Sequence, residues 1–128
     1  MFISKEATLK IKGSMEIAHR LPNYDGKCSK IHGHRFEYIV SFKGEVQSDG
    51  MVEDFKDLDR IIKIIADRYD HTYLNDLFEN PTLEDFAMHF LNELNAEYGY
   101  IKQLRKRGKF VELEMWETEK YGVVVTYE

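Results

Sequence analysis

Along the chain, the spacing of apolar residues changes from the alternation of a strand to the period of a helix and then back to alternation. This order limits the possible folds most strongly. Near the amino terminus Ala7, Leu9 and Ile11 alternate with polar residues, which predicts a half-buried strand from Thr8 to Ile17. A second alternation over residues 32–42 predicts another strand. The residues between them are rich in turn formers, so we expect an antiparallel pair joined by a long loop.

The carboxyl-terminal part returns to the strand pattern. In "FVELEMWE", the side chains of Val111, Leu113 and Met115 share one face, and "YGVVVTY" predicts a last strand after a turn near Lys120. Gly13, inside the first strand, predicts a bulge or bend there.

Two stretches in the middle of the chain have a helical period. Asp54 is a suitable N-cap for the first, and Thr82, with Asp85 three positions later, is a suitable N-cap for the second. Each stretch carries one apolar stripe. The stripes consist of Phe55, Leu58, Ile61, Ile62, Ile65, Ala66 and Tyr69, and of Leu83, Phe86, Ala87, Phe90, Leu91 and Leu94.

The predicted order is therefore ββααββ, an α+β fold in which both helices cover one face of a four-stranded antiparallel sheet. At 128 residues, the whole of 1–128 is expected to be one domain. Such a sheet has two open edges, and pairing between subunits is one way to cover them.

Charge and hydropathy exclude several classes of partner. The net charge of −5 argues against sequence-independent binding of nucleic acid. No apolar run is long enough to cross a bilayer, and "MFISKEATLKIKG" lacks a secretion signal, so a cytoplasmic protein without a membrane partner is expected. The basic cluster within residues 102–109 predicts a solvated loop, with steering of a phosphorylated small molecule as the alternative.

The stretch "CSKIHGH" predicts a metal site. His32 and His34 project from the same face of a strand, and His19 ends the strand expected to pair with it. Three neutral imidazoles with one open position are a ligand set of catalytic zinc. The alternative is a polar turn leading into a strand, and His71 and His89 compete with His19 for the third place.

Cys28 is the single cysteine, which excludes a disulfide within the chain. It could close the metal site as a fourth ligand, or remain free as a thiolate base beside the ion. Closed structural sites usually use several thiolates, which favours the open site.

With these residues placed, the chain resembles the 6-pyruvoyl-tetrahydropterin synthase and 6-carboxy-tetrahydropterin synthase family over nearly its whole length. The resemblance lies in six motifs in the same order. They are "AHRL" with His19, "CSKIHGH" with Cys28, His32 and His34, "VEDF" ending in Phe55, "DHTYLND" with Asp70 and His71, "NPTLED" from Asn80, and "WET" with Glu117.

The resemblance implies zinc bound by His19, His32 and His34. It also implies the tunnelling fold, in which ββααββ subunits join their sheets into a barrel, commonly as a homohexamer with active sites between subunits. The implied substrate is 7,8-dihydroneopterin triphosphate.

The resemblance also implies the roles of four further residues. Cys28 would remove a proton from the substrate side chain, and Asp70 and His71 of a neighbouring subunit would relay protons. Glu117 would accept paired hydrogen bonds from the pterin. Without the resemblance, Asp70 and His71 are interpreted as the cap of a helix end. Glu117 shares the parity of the buried residues of its strand, and a carboxylate there needs a partner.

The three-residue gap between Cys28 and His32 is similar to that of bacterial and archaeal 6-carboxy-tetrahydropterin synthases, which serve 7-deazaguanine synthesis and release acetaldehyde and triphosphate. The 6-pyruvoyl product is the second hypothesis. A third branch, which cleaves dihydroneopterin side chains, carries glutamate in place of Cys28. A hypothesis of another class is a non-catalytic, zinc-stabilised binding domain, which predicts that zinc removal unfolds the protein.

Overall fold

A computed structural model of the chain describes residues 5–101 and 108–128. Most of the basic cluster therefore lies outside the described residues. The elements follow the predicted order. They are β1 (Glu6–His19), β2 (His32–Glu45), α1 (Phe55–Tyr69), β3 (Thr72–Tyr73), α2 (Leu83–Tyr100), β4 (Gly108–Trp116) and β5 (Gly122–Thr126).

The four predicted strands form consecutive antiparallel pairs, which confirms the α+β fold. One strand differs from the expectation: β3 pairs in parallel with β1, so the sheet is mixed and has five strands in the order β3-β1-β2-β4-β5. With only two residues, β3 is too short to produce a hydrophobic period.

The β1–β2 pair has an unbroken register from Glu6 opposite Glu45 to His19 opposite His32, so the predicted bulge at Gly13 is absent. Gly13 lies opposite Tyr38, and its lack of a side chain allows the tyrosine to pack against the strand. A Cβ atom at this position would collide with the Tyr38 ring and hydroxyl, so glycine makes room for the tyrosine.

The bulge occurs in β4 instead. The register between β2 and β4 shifts between Ser41 and Phe42, and Val111 is the extra residue. The prediction that Val111 shares a face with Leu113 and Met115 is therefore wrong, and Phe110 takes the buried position.

Both predicted N-caps are present. Asp54 accepts a hydrogen bond from the Lys56 N–H at 2.8 Å, and Thr82 accepts one from the Asp85 N–H at 3.2 Å. The apolar stripes are buried except at Phe55, which is the first residue of α1 and is 55% exposed.

The core lies between the two helices and one face of the sheet. From α2, Phe86 and Phe90 stack against Phe36 and Tyr38 of β2, with ring centroids 5.8 and 5.7 Å apart. Neither helix in the described part of the chain has the length and apolar character needed to cross a bilayer. The core thus extends along β2 to Phe36, two residues from His34.

Candidate active site

Three histidines meet where β1 ends and β2 begins. His19 and His32 are direct partners in the antiparallel register, and His34 follows two residues along β2 on the same face. Their ring centroids are between 4.5 and 5.3 Å apart. One ring nitrogen of each lies within 4.8 Å of those of the other two. The structure thus brings the three predicted metal ligands together.

Two of the histidine rings, those of His19 and His32, are held by backbone carbonyls from different parts of the chain. Nδ1 of His19 donates to the Pro81 carbonyl at 2.9 Å, and Nδ1 of His32 donates to the Lys30 carbonyl at 2.8 Å. Since a carbonyl only accepts, Nδ1 of both rings carries the proton, which leaves Nε2 as the nitrogen that could bind a metal.

Burial favours the neutral form of two of the three imidazoles. His19 is only 2% exposed, and this desolvation lowers its pKa to about 4. Desolvation also lowers the pKa of His34, and the nearby Glu117 carboxylate opposes that shift. Neutral imidazoles can bind a metal without first losing a proton.

The donor set fits zinc. Within residues 5–101 and 108–128, these three histidines are the potential ligands close enough to share one ion. Carbonyl partners that orient the rings are the usual outer contacts of zinc-binding histidines. Three protein ligands leave one position for substrate or water, as in catalytic zinc sites.

Cys28 lies beside this cluster in the chain but not in the ligand group. It occupies a short 3₁₀ turn, Lys27–Ser29, and its thiol is free and half-buried. The thiol is not among the atoms close enough to share the ion. This geometry favours the open site over the closed one.

Asp70 and His71 follow α1 and are attached to β1. The Glu16 N–H donates to Oδ1 of Asp70 at 2.7 Å, and the His71 N–H donates to the Glu16 carbonyl at 2.6 Å. The first of these bonds lowers the pKa of Asp70. Nδ1 of His71 lies 3.1 Å from Oδ2 of Asp70, and the His71 side chain is 76% exposed. The His71 ring is therefore largely exposed to solvent and lies outside the group formed by the three clustered histidines.

The outward direction of His71 depends on an unusual backbone. Its φ is 62°, the left-handed region that residues other than glycine rarely adopt. The two hydrogen bonds between Glu16 and the Asp70–His71 pair hold this conformation, which costs of the order of 1 kcal/mol or more. Strained residues held in this way cluster at functional sites.

Glu117 joins the histidine cluster to a groove on the sheet. Its charge acts on His34, and its N–H donates to the Tyr121 carbonyl at 3.1 Å. The groove has a volume of about 800 Å³ and is lined by, among others, Arg35, Glu37, Trp116 and Glu117. Glu117 is thus within reach of both the metal site and a space large enough for a small molecule.

The other two histidines lie elsewhere. His71 is not in the cluster, and Nε2 of His89 lies 2.7 Å from Oε1 of Glu93 on the surface of α2. Neither belongs to the group that could hold an ion, whose third member is His19.

Sequence reasoning missed the residues that hold the site from outside. Pro81 acts through its carbonyl, and its position just before the Thr82 cap was the available signal. Asn75 and Arg20 make two hydrogen bonds across 55 positions of the sequence, which no periodicity reveals.

Fold and site together define an α+β protein in which three histidines that could hold a metal ion meet at the end of the β1–β2 pair. A family model described as 6-pyruvoyl tetrahydropterin synthase matches residues 8–128. The chain therefore belongs to the 6-pyruvoyl tetrahydropterin synthase family.

The similar proteins carry the names of two kinds of enzyme, a 6-carboxy-tetrahydropterin synthase and a dihydroneopterin monophosphate aldolase. A protein of Archaeoglobus fulgidus named "Putative 6-carboxy-5,6,7,8-tetrahydropterin synthase" is 40% identical over 97 residues, covering 76% of this chain and 83% of the relative. A 6-carboxy-5,6,7,8-tetrahydropterin synthase of Haemophilus influenzae is 40% identical over 89 residues, 66% of this chain and 62% of the relative. A dihydroneopterin monophosphate aldolase of Pyrococcus furiosus is 28% identical over 118 residues, 92% and 96% of the two chains.

Solved structures share the fold. The 6-pyruvoyl tetrahydropterin synthase of Caenorhabditis elegans superposes with a TM-score of 0.81, covers 100% of both chains and is 24% identical. The Plasmodium falciparum 6-pyruvoyl tetrahydropterin synthase gives a TM-score of 0.76 at 19% identity, with coverage of 97% and 99%. At these identities the likeness establishes the tunnelling fold of a single subunit.

Proposed function

We propose that the protein is a zinc-dependent lyase that converts 7,8-dihydroneopterin triphosphate to 6-carboxy-5,6,7,8-tetrahydropterin, with release of acetaldehyde and triphosphate. The observation that carries this proposal is the group of three histidines placed to share one ion, with a cysteine thiol outside that group. Relatives at 40% identity that are named for this product support it.

His19, His32 and His34 would hold the zinc ion, which would supply Lewis acidity toward the hydroxyls of the substrate side chain. Cys28, as thiolate, takes a proton from that side chain. Glu117 accepts hydrogen bonds from the pterin amino and ring N–H groups and fixes its orientation.

Asp70 and His71 relay protons at the site of a neighbouring subunit. The contact between Asp70 Oδ2 and His71 Nδ1 orients the imidazole, and the exposed ring is accessible from outside its own subunit. This arrangement suits a homohexamer in which the sheets join into a barrel, because the open edges at β3 and β5 are then covered.

Two further activities belong to the same site. The family model and the solved structures carry the name 6-pyruvoyl tetrahydropterin synthase, which favours triphosphate elimination as the second candidate. The match to the aldolase of Pyrococcus furiosus over 92% of the chain supports side-chain cleavage of a dihydroneopterin phosphate. Cys28, which the side-chain-cleaving branch replaces by glutamate, argues against the latter.

Mass spectrometry of the products after incubation of zinc-loaded protein with 7,8-dihydroneopterin triphosphate tests these proposals. We expect a 6-carboxy-tetrahydropterin signal in the wild type and none in Cys28→Ala. His89→Ala, which removes a surface histidine, is the control and should retain the product. A 6-pyruvoyl product would select the second candidate. No turnover with zinc bound, together with unfolding on zinc removal, would favour a non-catalytic binding domain.

A further inference from the structure

The turn that carries Cys28 is attached to the sheet by the two residues that follow His19. The Leu21 N–H donates to the Cys28 carbonyl at 2.7 Å. Nε of Arg20 donates to the Ser29 carbonyl at 2.9 Å. Two successive carbonyls of the turn are therefore tied to the end of β1.

Bonds within the turn shape it but do not attach it to the sheet. Both the Ser29 hydroxyl and the Ser29 N–H donate to the Gly26 carbonyl, at 2.7 and 3.1 Å. Gly26 enters the turn with a φ of 151°, a conformation that glycine adopts readily. After the turn, the Lys30 carbonyl accepts from Nδ1 of His32 at 2.8 Å, so the bonds of Arg20 and Leu21 are the ones that tie the Cys28 and Ser29 backbone to the end of β1.

Arg20 is in turn held from its other side by Asn75. Oδ1 of Asn75 accepts from the Arg20 N–H at 2.8 Å, and Nδ2 of Asn75 donates to the Arg20 carbonyl at 2.9 Å. Strand β3 pairs with β1 only at Ile17 and Ala18 before the chain turns away. The Asn75 side chain therefore supplies to Arg20 the donor and the acceptor that a longer β3 would have supplied.

We propose that Arg20 and Asn75 are positioning residues for Cys28: Asn75 fixes the Arg20 backbone, and the Arg20 guanidinium fixes the turn. This inference rests on the proposed function, in which the Cys28 thiolate is the base. Arginine suits the task because its N–H groups lie in a rigid plane and it stays charged at every working pH. A displacement of about 1 Å at a reacting group can cost about 100-fold in rate, so the attachment matters more for turnover than for folding.

The test compares Arg20→Ala and Asn75→Ala with the wild type in the zinc-loaded protein. We expect kcat to fall about 10- to 100-fold in both variants, with KM and zinc content close to the wild-type values. Iodoacetamide should alkylate Cys28 faster in both, because a released turn exposes the half-buried thiol. Cys28 is the single cysteine, so the reaction reports on this residue alone. Added guanidinium should restore part of the kcat of Arg20→Ala and leave Asn75→Ala unchanged.

Arg60→Ala is the matched control, because Arg60 pairs with Asp57 on the surface of α1 and lies outside the site. It should match the wild type in kcat and in alkylation rate. If Arg20→Ala fails to fold, Arg20→Lys, which keeps the charge without the planar N–H, takes its place with the same expected loss of kcat.

Three results would overturn the inference: an unchanged kcat and alkylation rate, a rise in KM with unchanged kcat, or a loss of zinc in proportion to the loss of activity. Failure of the proposed function looks different. In that case the wild type gives no pterin product, or Cys28→Ala remains active, whereas the alkylation rates still report whether Arg20 and Asn75 hold the turn.

Discussion

His19 and His32 lie opposite each other in the last pair of the β1–β2 register, with ring centroids 4.5 Å apart. Their position follows from strand pairing rather than from the loop between them. Fourteen consecutive residue pairs fix the register, and a slip of one strand by one residue would place the two rings on opposite faces of the sheet. The metal site is thus specified by the same alternation that builds the core.

Alanine at His19, His32 or His34 should abolish stoichiometric zinc binding. Two remaining imidazoles are too few for a stable site, since zinc sites in proteins use at least three protein ligands. The measurement is zinc content per chain after dialysis, with His89→Ala as the control. Retention of zinc by His34→Ala would contradict the assignment of that ligand.

The metal-free protein should lose stability as the pH falls. Burial lowers the pKa of His19 to about 4 from an ordinary value of 6.5. Between these two values the unfolded chain binds a proton that the folded chain does not. The free energy of unfolding should therefore be highest above pH 6.5 and decline by up to about 3 kcal/mol as the pH approaches 4.

Urea denaturation in the presence of a chelator, repeated over this pH range, measures the decline. His19→Gln should reduce the decline, because glutamine does not titrate, and the part that remains is the contribution of His34, whose pKa burial also lowers. An identical pH dependence in His19→Gln and the wild type would show that another group is responsible.

Removal of the N-cap should lower the zinc affinity for α2 but not for α1. Thr82→Ala and Asp54→Ala each remove a cap hydrogen bond and should cost about 1 kcal/mol of stability. Thr82 adjoins Pro81, whose carbonyl holds the His19 ring, so Thr82→Ala should also weaken zinc binding by up to about tenfold. A competitive titration with a zinc chelator separates the two variants. Equal zinc affinities would mean that the cap does not position the carbonyl.

Gly13→Ala should destabilise the protein by about 1–3 kcal/mol, because the new methyl group would collide with the Tyr38 ring. Gly99→Ala is the control, since a Cβ there meets no atom within 4 Å and α2 favours alanine. It should be neutral or stabilising by up to about 1 kcal/mol. Thermal denaturation of both variants measures the difference, and equal melting temperatures would contradict the collision.

Asp70→Asn should lower kcat by about 100-fold or more while the protein stays folded. Asparagine can still accept the Glu16 N–H through Oδ1, but its amide group would face Nδ1 of His71 and disfavour the productive tautomer. Steady-state kinetics and a melting curve provide the two readouts. Asp67→Asn, at a carboxylate that pairs with Lys63 on the surface, should match the wild type in kcat.

Residue periodicity was sufficient to predict the four long strands, both helices and the Asp54 and Thr82 caps, because each depends on local chemistry. It also predicted that His19 meets His32, since strand pairing follows from the turn-rich loop. It could not predict contacts made across the fold. The Asn75–Arg20 bonds, the Pro81 carbonyl on His19 and the displacement of Val111 by a bulge all depend on how distant segments pack.

The register of β1 and β2 also makes the positions of His19 and His32 independent of the length of the loop between them. Residues 20–31 leave the sheet after His19 and rejoin it at His32, and these two residues are partners whatever the length of the loop. Doubling a flexible loop costs only about 0.6 kcal/mol in closure entropy. Insertions there would move Cys28 and leave the three histidines in place. One strand pair could therefore hold a metal ion at a fixed position while loops of different length bring different catalytic bases to it, which would allow different reactions.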